Sequence, residues 1–396
     1  MFLICEQKDL LNAARLTAQA VNLSNSLPVL NNILLKAENG KLKFTATNLE
    51  ISITTDIPAQ IRNEGTLTVP ARLFSSYVQF LKPGKVELQK SDGQNLKIST
   101  LSQSSKQKTD STKNPAIKLA LPEKPQTQPQ LQSQSQIKGI SADEFPLIPQ
   151  VKGEFSFTVM SKDLFAALNQ VAFTAAKDLT RPILAGVVFQ ITKNEIRLAA
   201  TDSFRLAEKI LKPSAPLARI AEFIIPVRTA NELIHILDKE NTKVKIDLTA
   251  NQALFLYKNI EFASRLVEGK YPDYTKIIPN EHITVLKLQK EDLINAVKRV
   301  NLFAKDLHAV KLTIDADKKL RIFSEQTQMG GETTEVAAVV EGAENAIALN
   351  ANYLLEALAV LEGNEIKIEL GPKMKPAILR SPKQPEYLHL IMPLKI

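Results

Sequence analysis

The sequence predicts an α+β fold built as three similar units in tandem, and two recurrences carry that reading. In the first, LPVLNNILLKAENGKLKFTATNLEISI (27–53) repeats as RPILAGVVFQITKNEIRLAATDSFRLAEK (181–209). Each has a Pro-apolar-Leu entry, an apolar strand, a polar turn and a second strand ending in Ala-Thr-Asn or Ala-Thr-Asp. A weaker copy is LHAVKLTIDADKKLRIFSEQ (307–326). In the second recurrence, VPARLFSSYVQFLKPGKVELQ (69–89), IPVRTANELIHILDKENTKVKIDL (225–248) and LNANYLLEALAVLEGNEIKIEL (349–370) each read strand end, amphipathic helix, turn, strand.

The elements of a unit follow in order. A helix opens each one, near 8–20, 162–176 and 290–304, because apolar residues there recur at helical spacing. A strand pair comes next, closed by short polar turns such as Glu38-Asn39-Gly40 and Asp315-Ala316-Asp317, which imply antiparallel hairpins. The second helix follows, its apolar stripe marked by Leu233, Ile236 and Leu237 or by Leu354, Leu355 and Leu358. Proline-rich closures, FPLIP (145–149) and YPDYTKIIP (271–279), set the expected domains at 1–152, 153–279 and 280–396.

The repeat distance exposes an insertion. Pro70 to Pro226 is 156 residues, whereas Pro226 to the corresponding Leu349 is 123. The excess of 33 falls on residues 101–132, rich in Ser, Gln, Lys and Pro and poor in large apolar groups. Such a composition does not repay the entropy of ordering, so a flexible loop is expected. With five Lys against one Asp and one Glu, it supplies +3 of the net +8 and leaves only +5 elsewhere.

Composition and motifs exclude much. Of 396 residues, 44% are hydrophobic and 23% charged, so most of the chain can bury a core. No apolar run approaches the length of a membrane-spanning helix, and the early Glu6, Lys8 and Asp9 leave no room for a signal peptide. The expected location is cytoplasmic, with no membrane partner. One cysteine, Cys5, rules out an intramolecular disulfide and every CxxC metal site. No G-x-G, GxxxxGK or GxSxG pattern occurs. His235, His282, His308 and His389 are too far apart for HExxH or HxxxH. These patterns predict no catalytic residue, metal or cofactor, and an enzyme site assembled only in three dimensions is the remaining alternative to a non-enzyme.

The helix faces fit two readings, an ordinary solvated surface and a polyanion-binding one. Lys8, Asn12, Arg15 and Gln19 form one stripe of the first helix, and Arg72, Ser76, Gln79 and Lys82 one of the second. Lys162, Asn169, Gln170 and Lys177 follow in the second unit, and Lys298 and Arg299 in the third. Several faces that are basic or neutral rather than mixed suit phosphate contacts, which need cations and no sequence code. With no Trp and 6% aromatics, a platform for stacking single-stranded bases is disfavoured.

Together the strings LPVLNNILL, ATNLEISI, VPARLF, EFPLIP, RPILAGVVF, ATDSFRLAEK, SRLVEGKYPDYTKIIP and YLHLIMPLKI resemble the bacterial β sliding clamps, the processivity subunits of replicative DNA polymerase III. They cover all three units and leave out only 101–132. The resemblance implies DNA-clamp domains with helices inside and antiparallel sheets outside, closed as a head-to-tail homodimer ring around double-stranded DNA. It implies partners, namely the polymerase catalytic subunit, the clamp loader and other proteins with a short Gln/Leu/aromatic motif. Matching positions give a peptide pocket from Leu184, Thr201, Ser203, Phe204, Arg205 and Leu206, from Pro272, Lys276 and Ile277, and from Leu390, Ile391, Met392, Pro393 and Leu394. DNA contacts fall on Arg72, Lys177 and Arg181, with Arg228 and Lys298 weaker. The dimer seam falls on Leu302 and Phe303 against the edge strand around Ile137.

Four positions depart from the family. Phe204 stands where His is common, Lys276 and Lys395 where Arg is frequent, and Ser24 where an Arg often meets DNA, so Ser24 is given no such role. A peptide-binding repeat scaffold that never encircles DNA is the competing reading; a closed dimer ring against a monomeric arc separates the two.

Overall fold

The computed structural model describes every residue except 22–26, 92, 102–130, 149–152, 179, 214, 305–306, 326–329 and 396, with no side chain described at 101, 131 and 132. Ser24 and most of the expected loop 101–132 therefore lie outside the described residues. Six α-helices are described: α1 (Gln7–Ala18), α2 (Ala71–Phe80), α3 (Ser161–Val171), α4 (Val227–Ile236), α5 (Lys290–Asn301) and α6 (Ala351–Val360). They pack in sequential pairs, α1 with α2, α3 with α4 and α5 with α6, as three copies of a two-helix unit require. All sheets pair antiparallel in the registers described.

The chain divides into two compact units, Met1–Val151 with Leu254–Ala263, and Lys152–Ala253 with Ser264–Ile396. In the first unit, strands Gln60–Asn63, Phe2–Glu6, Lys85–Ser91, Asn95–Leu101 and Leu131–Lys138 form a five-stranded sheet in that order. Asn32–Glu38 pairs with Lys41–Thr47 across Asn39-Gly40. Both turn residues have positive φ, 50° and 73°, which the two-residue hairpin demands and which Asn and Gly tolerate. The buried face of α1 carries Leu10, Ala13, Ala14 and Thr17, while Lys8, Asn12 and Arg15 stay exposed. Cys5 is buried, and burial pushes its thiol up to about 12, far from any reactive range.

The flanks of the insertion meet. Asn95–Leu101 pairs with Leu131–Lys138, Thr100 lies opposite Ser133, and their hydroxyls bond at 2.8 Å. Replacing 102–130 by Asn-Gly should therefore leave the melting temperature within about 3 °C, since hairpin closure is already satisfied by the flanks. A larger drop in calorimetry would mean that the segment stabilises the fold.

In the second unit a nine-stranded sheet runs across the expected boundary at 279/280. Its order is Ala221–Pro226, Gly186–Ile191, Ile196–Thr201, Arg205–Leu211, Gln384–Ile391, Ala377–Ser381, Glu365–Leu370, Thr284–Gln289 and Ala338–Gly342. The join is Arg205–Leu211 against the last strand of the chain, Gln384–Ile391. This continuous sheet explains why 152–253 and 264–396 form one compact unit. A separate four-stranded sheet is ordered Thr333–Val336, Leu320–Phe323, Ala309–Ile314, Asn345–Asn350.

Candidate peptide-docking and nucleic-acid sites

The central feature lies where the nine-stranded sheet crosses between repeats. Leu206 is opposite Leu390, and Arg205 opposite Ile391. Side chains alternate along a strand, so the two pairs occupy opposite faces. Leu206 and Leu390 join Val188, Ala199, Ile224, Tyr271, Tyr274, Ile378 and Leu388 in one apolar cluster. Ile183, Leu184, Val267, Ile278 and Met392 pack against it, only partly buried. Phe204, Pro272 and Ile277 are exposed, Phe204 by 58%. The result is an apolar patch whose floor is core and whose rim is open to a ligand.

A rigid turn presents Phe204. Thr201 Oγ1 donates to the Arg205 carbonyl at 2.6 Å and accepts from the Ser203 N–H at 3.1 Å. Asp202 Oδ1 accepts from the N–H groups of Phe204 and Arg205, at 2.9 and 3.0 Å. Ser203 sits at φ 80°, held by these bonds. On the far side, Gly269 has φ 118°, and a Cβ there would come within 2.8 Å of Ile183 Cδ1, so a side chain would push Ile183 out of the patch. Tyr271 Oη accepts from the Thr201 N–H at 3.1 Å, and Tyr274 Oη donates to Glu208 Oε2 at 2.7 Å. Burial raises both phenol pKa values well above the ordinary range.

Two expected pocket residues face the other way. Arg205 is only 4% exposed and lies on the helix side, 4.4 Å over Tyr353 and 5.5 Å over Phe173. Its guanidinium donates to Asp202 Oδ2 at 3.0 Å, to the Phe173 carbonyl at 2.9 Å and to Glu356. Ile391 is fully buried opposite it. The resemblance places both in the pocket, whereas strand alternation admits only every second residue of Arg205–Leu211 and Gln384–Ile391 to that face. Thr201 is also buried, its hydroxyl spent within the turn. Lys276 is exposed at the rim and pairs with Asp273 at 3.2 Å. Ser203 is exposed in the turn that presents Phe204, while Pro393 and Leu394 are half-buried in the tail that leads away from the patch toward Ala348. Ile183, Val267, Ile278, Tyr271 and Tyr274 complete the patch beyond the positions the resemblance implies, and all stand inside or beside the motifs RPILAGVVF and YPDYTKIIP.

His389 lies on the helix side as well, fully buried, stacked on Phe173 at 5.7 Å. Burial and then Arg205 hold its pKa down at about 3. Unfolded, it titrates near 6.5, so below that pH the unfolded chain gains a proton that the native state refuses. Its stabilising contribution is whole above pH 6.5 and falls as pH drops toward 3. In urea unfolding, His389→Phe should reduce the stability lost between about pH 7 and pH 5 by about 2 kcal/mol. An unchanged acid slope would mean that His389 stays neutral in both states or charges in both.

The cationic residues are placed separately in the two units. In the first, Arg72 is exposed on α2 beside exposed Ser76 and Gln79. In the second, Lys177 and Arg181 are exposed after α3, and Lys298 is exposed in the last turn of α5. Among the described residues Arg72, Lys177 and Lys298 make no ion pair. Arg181 Nη1 donates to Ser203 Oγ at 3.2 Å, which ties it to the patch rim. Arg228 is half-buried in the first turn of α4, where burial raises the carboxyl pKa of Glu232 and Arg228 offsets only part of that rise. Gln170, expected on the outward stripe of α3, is instead buried and donates to the Val360 carbonyl at 3.3 Å.

The expected seam residues also divide. Leu302 is 76% exposed and Phe303 half-buried at the end of α5. The strand Leu131–Lys138 is indeed a sheet edge, but Ile137 is only 4% exposed, with its side chain in its own core. The outward apolar residues on α2 are Leu73 and Phe80, the latter 83% exposed.

Three family signatures match in tandem. The N-terminal domain of the DNA polymerase III beta subunit matches residues 1–149, the central domain 158–273 and the C-terminal domain 275–395. The beta sliding clamp of Bacillus subtilis is 30% identical over 401 residues, with 98% of each chain covered. The chain belongs to the beta sliding clamp family. A Staphylococcus epidermidis clamp is 29% identical, over 96% of this chain and 95% of its own. The crystal structure of the B. subtilis clamp superposes with a TM-score of 0.88 at 28% identity, covering 100% of this chain and 99% of that one. A Pseudomonas aeruginosa clamp bound to griselimycin matches at TM-score 0.88 and 22% identity over 100% of both chains, a likeness of fold. The protein is thus a DNA sliding clamp of three tandem clamp-type domains, a non-catalytic processivity factor in DNA replication. Its family binds DNA, forms homodimer rings and engages polymerases and other clamp-binding proteins. Among the described residues no helix is long and apolar enough to cross a membrane.

Proposed function

We propose that this clamp carries its partners on the patch around Leu184, Leu206, Leu390 and Met392 while Arg72, Lys177, Arg181 and, more weakly, Arg228 and Lys298 face the duplex. The domains are 1–152, 153–279 and 280–396, and the clamp works in the cytoplasm. The observation that carries the docking reading is the open apolar rim of Phe204, Pro272, Ile277 and Met392 over a buried floor. A short segment with a Leu and an aromatic side chain would fill it, and a Gln would bond the polar margin near Ser203. Phe204 in place of a His makes that margin more apolar and favours a larger aromatic in the partner. The seam pairs Leu302 and Phe303 of one subunit with the first domain of the next. There Leu73 and Phe80 replace Ile137 as the apolar contacts, because Ile137 is already buried at home.

Calorimetry with a Gln/Leu/aromatic peptide tests the docking reading. Removing Met392 to Ile396 should abolish binding while sedimentation still shows the dimer. Unchanged affinity in the truncated clamp would place peptide docking elsewhere.

A further inference from the structure

The C-terminal tail links the patch to a second feature. Met392 packs on the patch, and its N–H donates to the Phe204 carbonyl at 2.8 Å. Two residues on, the Leu394 N–H donates to the Ala348 carbonyl at 2.8 Å. Ala348 belongs to Asn345–Asn350, the edge strand of the four-stranded sheet. Between this edge, the strand Ala309–Ile314, the turn at Lys373–Met374 and the tail lies an open groove of about 490 Å³. Ala346, Ala348, Met374 and Leu394 give it apolar walls, while Leu312 is buried on the opposite face of its strand. Lys311, Lys373 and Lys395 line it, and no acidic residue does. Lys311 is held by Glu325 at 2.7 Å, whereas Lys373 and Lys395 make no ion pair among the described residues.

We propose that this groove receives an acidic flank of the same partner segment whose apolar motif docks on the patch. The inference rests on the docking reading above and deepens it by naming the chemistry of the flank. Three observations carry it. Continuity comes first: Met392 and Leu394 are two residues apart, so a chain lying on one is led onto the other. Charge comes next: Lys373 and Lys395, without an ion pair among the described residues, favour Asp or Glu side chains and repel basic ones. The sheet edge is third: its main-chain groups beyond Ala348 can bond an extended segment, as in strand addition. A single-stranded nucleic acid would also seek the lysines, but the groove has no aromatic lining on which bases stack.

Fluorescence anisotropy on the intact clamp tests this with labelled peptides sharing one Gln/Leu/aromatic core. One has neutral Ser/Gly flanks, one a run of Glu before the core, and one the same run after it. One of the acidic peptides should bind about tenfold tighter than the neutral one at low ionic strength, as two or three exposed charge pairs would give. Added salt should erase the gain, and so should Lys373→Ala with Lys395→Ala, both exposed positions, while the neutral peptide binds as before. Equal affinity of all three peptides overturns the groove and leaves the patch standing. A gain that survives the double variant also overturns it. So does a double variant that weakens a single-stranded oligonucleotide but no peptide. Failure of the neutral peptide to bind removes the patch, and the groove reading with it.

Discussion

Leu302→Ala combined with Phe303→Ala is expected to convert the clamp dimer to monomer at micromolar concentration. Leu302 is exposed in the subunit at the end of α5, so association has apolar surface to gain there. Burying a large apolar side chain contributes about 1.5–3 kcal/mol. Two residues lost from a seam that occurs twice in a head-to-tail dimer remove several such contributions at once. That is enough to move a dissociation constant by about four orders of magnitude or more. The fold should survive, because the residues buried in α5 are Leu293, Ala296, Val297 and Val300. Sedimentation velocity should show monomer with an unchanged melting transition. A variant that stays fully dimeric would remove these residues from the seam. Phe80→Ala on α2 should weaken the same contact from the opposite side.

Retention on DNA should depend on topology rather than on charge. A protein held by phosphate contacts alone loses affinity steeply with salt, about 10³–10⁵-fold between about 50 and 200 mM for 6–10 contacts. A closed ring on circular DNA cannot leave until the ring or the DNA opens. Clamps loaded on nicked circles should therefore persist through a high-salt wash, and one cut in the DNA should release them from the ends. Neutralising Arg72, Lys177 and Arg181 should slow loading more than it shortens retention. Arg181 has a further consequence, since its bond to Ser203 also braces the peptide rim. Its substitution should weaken peptide binding, while Arg72 and Lys177 substitutions should not. Equal loss from circular and linear DNA in salt would mean that no ring encircles the duplex.

Local patterns in the sequence determined the helices, the hairpins and the repeat. Apolar spacing placed α1 to α6 within a few residues, and Asn39-Gly40 marked a turn that only positive φ can make. The same strings hold Leu184, Leu206, Leu390 and Met392 of the apolar patch, because its residues cluster in four short motifs. Which residue of each motif faces the patch was decided by tertiary structure. Strand alternation sends Leu206 and Leu390 to one face and Arg205 and Ile391 to the other, and the phase of that alternation is fixed only by what covers each face. Arg205 shows the reason. The resemblance places it in the pocket, yet Asp202, Glu356 and the Phe173 carbonyl satisfy its guanidinium beneath the helices. Gln170 shows the same effect, on a helix correctly placed but with its side chain turned inward by its neighbours. The sheet that joins the second and third repeats was equally hidden. Its decisive pair, Arg205–Leu211 with Gln384–Ile391, brings together strands about 180 residues apart, and no local periodicity records which edge a strand will find.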